Sequence, residues 1–181
     1  MTFGERVVGA MKLDPNAFED VERDPTAMGQ AVGVIALQAV STALGNIYWG
    51  GLSGVVWGVL IALVSYVIWT VLVWAIGTKV MPDPETKAEL PETFRTLAFA
   101  ASPGLLGIIT IIPIIGYLIQ LVLWIWSIAA MVIAVRSVLD YTNTGKAVVV
   151  VIIGFIISLI VNAILAFAFI GTSMMRGAYN Y

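Results

Sequence analysis

From residue 25 through residue 78 the chain runs 54 positions without an Asp, Glu, Lys or Arg. Two further uncharged runs follow, 40 residues at 96–135 and 29 at 147–175. A bilayer imposes such segregation, because a charge at its centre costs roughly 2.5–3.5 kcal/mol even on a lenient insertion scale. Composition agrees. Sixty per cent of the residues are hydrophobic and 11% charged, against about 25% charged in average soluble chains. A soluble core of 181 residues cannot hide that much apolar surface, so the expected solvent is lipid.

One spanning helix takes about 20 apolar residues, so the three runs hold two, two and one. Gly45, Asn46, Gly50, Gly51 and Gly54 punctuate the first run, and Pro113 and Gly116 the second. The expected helices are 27–48, 53–76, 95–112, 115–136 and 146–170. Backbone groups in hydrocarbon must be bonded within their own segment, which favours helices. The stretch VVVVIIGFIISLIV also lacks the alternation of a barrel strand. The expected fold class is an all-α, polytopic five-helix transmembrane bundle. It divides into a cytoplasmic segment at 1–26, a membrane domain at 27–170 and an external tail at 171–181. Residues 1–26 are polar and mixed in charge, so no signal peptide is expected.

Charge also predicts orientation. Arg6, Lys12, Arg23, Lys79, Lys87, Arg95, Arg136 and Lys146 all fall in loops of one parity, leaving only Arg176 opposite. The positive-inside rule then puts the N-terminus in the cytoplasm and the C-terminus outside. All eleven acids fall on the cytoplasmic side as well. Tyr48 and Trp49 are expected at the outer interface and Trp74 at the inner one.

Within the first segment, Phe3, Val7, Val8 and Met11 share a helical face, with Glu5, Arg6 and Lys12 placed elsewhere. This suits a short amphipathic helix, lying either on the membrane surface or against the bundle ends. The following acids include Glu19, Glu22 and Asp24. They read as a solvated juxtamembrane stretch, as partners for Arg95 and Arg136, or as oxygen ligands for a hard cation, although calcium-loop spacing is missing. Asp24 before Pro25 suits a helix cap. Asp140, four residues after Arg136, lies at helical pairing distance. Ser102, Pro103 and Gly104 interrupt the third span, where Pro103 removes the bond to the Phe99 carbonyl. Gln38, Ser41, Thr42, Ser65, Gln120, Ser127, Ser158 and Asn162 read mostly as interhelical hydrogen-bond glue. Small residues four apart (Gly29 and Gly33, Ala39 and Ala43, Gly54 and Gly58) fit close packing with another helix or with a second copy.

Several functions lose support. Histidine and cysteine are absent, which removes the commonest base and the thiolate ligands. Zinc and phosphate-cradling motifs do not occur. No catalytic residue, cofactor or metal is expected, and the small net charge of -2 argues against nucleic acid.

The order of features resembles the Yip domain family of Ypt-interacting-protein-like membrane proteins. PNAFEDVERDPTAMGQA before the first span, RTLAFAASPGLL at the third, and IPIIGYLIQLVLWIWSIAAMVIAVRSVLDYTNTGKA before the last carry the likeness. The acidic lead-in looks like that of prokaryotic members. The resemblance implies five helices with a cytoplasmic N-terminus. It links eukaryotic members to Rab-type GTPases and vesicle traffic. Asp24-Pro25 lacks the leucine and glycine of one family motif, and Ala98 to Pro103 keeps only the spacing of another. GTPase binding is therefore not carried over. The expected function is membrane organisation or partner recruitment through the cytoplasmic face of a multi-pass cell-membrane protein. The partners are the bilayer, a protein at the charged face, and a second copy. The alternative is a channel or transporter of a small solute or ion, built on the break at Pro103 with Gln120 and Asn162.

Overall fold

The computed structural model describes the backbone of residues 1–45, 47–112 and 115–178, and their side chains except at 47–54 and 165–178. The expectations for Asn46, Tyr48, Trp49, Gly50, Gly51, Gly54, Pro113 and the tail at 171–181 fall on residues, or on side chains, outside those described. The described elements are helical. Helix α1 covers Phe3–Met11 and α2 covers Pro15–Arg23. A 3₁₀ turn, Pro25–Ala27, leads into α3, Met28–Gly45. Helix α4, Ile47–Ala75, ends in a π-helical turn, Ile76–Val80. Helix α5, Leu90–Ala100, continues as a 3₁₀ segment, Ser102–Ile111. Helices α6, Ile115–Val138, and α7, Thr144–Ala178, complete the chain. Five of these stretches are long and apolar enough to cross a membrane.

Two expectations are corrected. The acidic stretch read as a solvated juxtamembrane segment winds into α2, with Pro15 in its first turn and Asp14 capping Asn16. Its apolar side, Ala17, Phe18 and Val21, is fully buried. The third span starts at Leu90, five residues before the expected start, because Pro91 suits a first turn and Glu89 and Glu92 close a capping box.

The third span then changes form where proline was expected to break it. Pro103 cannot supply an N–H, and it sits second in a ten-residue 3₁₀ segment, Ser102–Ile111, an unusually long run. The slim segment lies in close contact along α3. A Cβ on Gly104 would meet the Gln38 side chain at 2.6 Å, and one on Gly107 would lie 3.2 Å from the Thr42 Cα. Ser41 completes the backbone bonding there. Its hydroxyl donates to the Leu105 carbonyl at 2.7 Å and accepts from the Ile108 N–H at 2.9 Å. Away from water, an unmade bond at either group would cost several kcal/mol. Across α4 and α7, Ser65 donates to Asn162 at 2.7 Å, and Asn162 donates to the Ser158 carbonyl at 2.8 Å. A Cβ on Gly58 would lie 3.8 Å from the Ala43 Cβ, whereas Gly29 and Gly33 face open space.

The buried core lies off-centre along the spans. It gathers Phe18, Val21, Val34, Leu97, Phe99, Ala134, Val138 and Leu139 at the charged end, where α2, α3, α5, α6 and the start of α7 meet. Farther along, α4 exposes Leu60, Ile61 and Val64, α6 exposes Leu118, Val122 and Ile125, and α7 exposes Ile152, Ile156 and Ile160. Those faces belong to lipid.

Stability should therefore depend on depth. Replacing Phe99 with Ala is expected to cost about 3–5 kcal/mol. Replacing lipid-facing Ile125 with Ala should cost less than about 1 kcal/mol, since lipid fills the gap and truncations at such a surface cost far less than losses from a core. Thermal unfolding of the purified variants in detergent checks the contrast.

Candidate functional site at the charged end

Two arginines organise this end. Arg6 of α1 is 3% exposed. Its Nε donates to Asp20 at 2.7 Å, one Nη to Asp24 at 2.6 Å and the other to Gln30 at 2.9 Å. One guanidinium thus ties α1 to α2, to the turn after it and to α3. The apolar pattern of the sequence puts Arg6 on the solvent side of α1, and the structure reverses that. The inward face is Arg6 and Ala10, with Gly9 pressed on Ala17 so closely that a Cβ would sit 2.6 Å from it. The available signal was two acids four apart, Asp20 and Asp24, beside a helix with small residues at Gly9 and Ala10. Burial alone would lower the Arg6 pKa, but the Asp24 and Asp20 carboxylates outweigh it and raise it. Asp24 is pulled down to about 2, first by the Thr26 hydroxyl and then by Arg6. Its other oxygen caps the turn at Thr26, as expected from Asp24-Pro25.

Arg95 of α5 is 5% exposed. Its partners in the acidic segment are main chain: its Nε donates to the Val21 carbonyl at 3.1 Å and an Nη to the Glu22 carbonyl. These carbonyls end α2, where a cation also meets the negative end of the helix dipole. A planar fork can hold two carbonyls in a way an ammonium cannot. Arg136 sits elsewhere. It is exposed and donates to the Tyr141 carbonyl at 3.3 Å, closing its own helix. Asp140 has left helical register, at φ 51°, in the turn between α6 and α7, so the expected helical pairing with Arg136 does not form. Glu19 pairs with Arg23 at 3.0 Å on the outer side of α2.

Glu22 is half-buried, and the Ser137 hydroxyl lies 3.5 Å from its carboxyl. Desolvation, then the like charges of Asp140 and Glu92, push it up to about 7; Arg23 opposes them only weakly. Among the described residues no three acidic side chains are arranged to hold a metal ion. At the break, Ser102 and Pro103 are buried and Gly104 rests on Gln38, apart from the charged cluster. Opposite α2, the 81–89 connector is stitched to the α6–α7 turn. Lys146 pairs with Asp83, Thr86 donates to the Leu139 carbonyl at 2.7 Å, and Tyr141 donates to the Met81 carbonyl at 2.7 Å. Trp74 stands at this end, donating to the Ala88 carbonyl at 3.1 Å.

Because Glu22 holds its proton more tightly when folded, its own contribution to stability is full below its unfolded value of 4.5 and is lost as pH rises through about 7. The drop across that window should be about 1–3 kcal/mol, and Glu22→Gln should flatten it in unfolding scans from pH 5 to pH 8. Removing Asp20 and Asp24 together, as Asn, strands the buried Arg6 charge and should cost about 3–5 kcal/mol in the same scans. Arg6→Met should cost less, because both carboxylates are near enough to the surface to regain water.

No curated protein and no solved structure matches the chain. The Yip1 domain model matches residues 10–175. That stretch takes in α2, both gripping carbonyls, Arg95 and all five spans. The chain therefore belongs to the Yip1 domain family.

Proposed function

We propose that the protein is non-enzymatic and organises the membrane or recruits a protein partner through its charged end, which faces the cytoplasm of the cell that carries it in its plasma membrane. The carrying observation is that Arg95 binds the α2 backbone and leaves the carboxylates free of that duty. Glu19 and Arg23 on α2 and Asp140 in the neighbouring turn then present alternating charge outward on a rigid base. Eight of the nine cations belong to the segments on this side, which supports the cytoplasmic assignment. Glu22 and Asp24 are structural in this reading, as are Arg95 and Arg136. The tight packing of Gly104 and Gly107 on α3, with Ser41 bonding the 3₁₀ backbone, supports recruitment over passage of a solute beside Pro103.

Exchanging the outer pair, Glu19→Arg with Arg23→Glu, keeps an ion pair and should shift stability by less than about 0.5 kcal/mol. It should weaken partner cross-linking in native membranes about tenfold, the equivalent of 1.4 kcal/mol. Arg95→Ala should lower both stability and capture. Unchanged capture by both variants overturns the reading, and so does solute flux through proteoliposomes holding the purified protein.

A further inference from the structure

Helix α1 touches the rest of the molecule on only part of its circumference. Arg6 and Gly9 face α2, while Phe3 packs edge-on against Phe99 with ring centroids 6.2 Å apart. The adjoining sector is uncharged: Gly4, Val7, Val8 and Met11. Val8 is 48% exposed, Gly4 is exposed with no atom within 4 Å of where a Cβ would sit, and Val7 and Met11 are half-buried. Glu5 and Lys12 lie beyond its edge and are exposed. Val80 and Leu90 are also exposed at this end, but on α1 the apolar residues form one continuous sector that no other element covers.

Its height in the bundle accounts for that sector. On α6 the exposed large apolar side chains run from Ile115 to Ile128 and none follows toward Val138. That band rises roughly 20 Å at 1.5 Å per residue. The Trp126 indole N–H donates to the Met11 carbonyl at 2.8 Å. Helix α1 therefore lies at the edge of the lipid-facing band, about three turns nearer the hydrocarbon than Ser137, which meets Glu22 of α2. Its apolar sector continues the surface that α6 gives to lipid, and an indole is a side chain suited to that boundary.

We propose that α1 is an interfacial anchor whose Gly4–Val7–Val8–Met11 face seats in the lipid head-group region, with the Arg6 clasp fixing its pose. The occupant is the bilayer surface. Lys12 at the edge of the face reaches lipid phosphates, and Glu5 stays in water. The inference holds whichever partner the charged end takes and whichever compartment it faces.

The chain has no cysteine, so a single introduced thiol reports one position. Full-length Gly4→Cys and Val8→Cys proteins, carrying an environment-sensitive fluorophore, go into phosphatidylcholine–phosphatidylglycerol nanodiscs. Arg23→Cys is the water reference, since the Arg23 side chain is 77% exposed. Brominated lipids should quench both α1 probes, most strongly with bromine about 5–10 Å below the phosphates, and aqueous iodide should quench mainly the Arg23 probe. Equal iodide quenching at all three positions overturns the proposal. Shielding from iodide without lipid quenching overturns it too, by giving the face to a second copy or another protein.

Discussion

Exclusion of charge from hydrocarbon governs everything else in this molecule. It keeps nearly all ionisable side chains in the first 26 residues and near the ends of the spans, and so it concentrates directional bonding at one end of the bundle. The core follows the charge. Phe18, Leu97, Phe99 and Leu139 are buried beneath α2, where two arginines and a set of stitched loops hold the elements in register. The opposite faces of α4, α6 and α7 need no such bonding, since lipid covers them as readily as protein would. The result is a body fixed at the wet end and held farther out by scattered hydroxyl and amide contacts.

The two arginines solve different problems. Arg6 neutralises side chains: it is almost wholly buried, yet each of its acids remains in touch with water. Arg95 neutralises nothing. It satisfies carbonyls that α2 leaves open at its end and makes no demand on the acids of that helix, of which Asp20 goes to Arg6 and Glu19 to Arg23. A count of charges cannot tell these uses apart, because the second partner is main chain.

That difference explains what the sequence can reveal. Charge-free runs locate all five spans, and Pro103 marks the break in the third. Both signals are large penalties attached to single residue types. The register of α1 escapes a sequence reading because an arginine is expected to seek solvent, and the acids that hold Arg6 lie fourteen and eighteen residues away. Helix α2 escapes it because its apolar residues, Ala17, Phe18 and Val21, are few among many acids, although their spacing suits one helical face. Nothing in a local pattern announces that Ser41 will meet Leu105 and Ile108, since the contact exists only once two spans cross. Chain segments that pair across 64 residues are legible from chemistry only as unspent donors and acceptors.

The Arg95 grip also sets an order of assembly. The carbonyls it holds belong to residues made 74 and 73 positions earlier. At about 5–20 residues per second, the ribosome delivers the missing guanidinium several seconds after α2 has emerged. Until then the α1–α2 hairpin has only its own Arg6 contacts and an uncovered Phe18 and Val21. Biogenesis of this protein thus contains a waiting period, during which the apolar side of α2 lacks the cover that α5 later gives it.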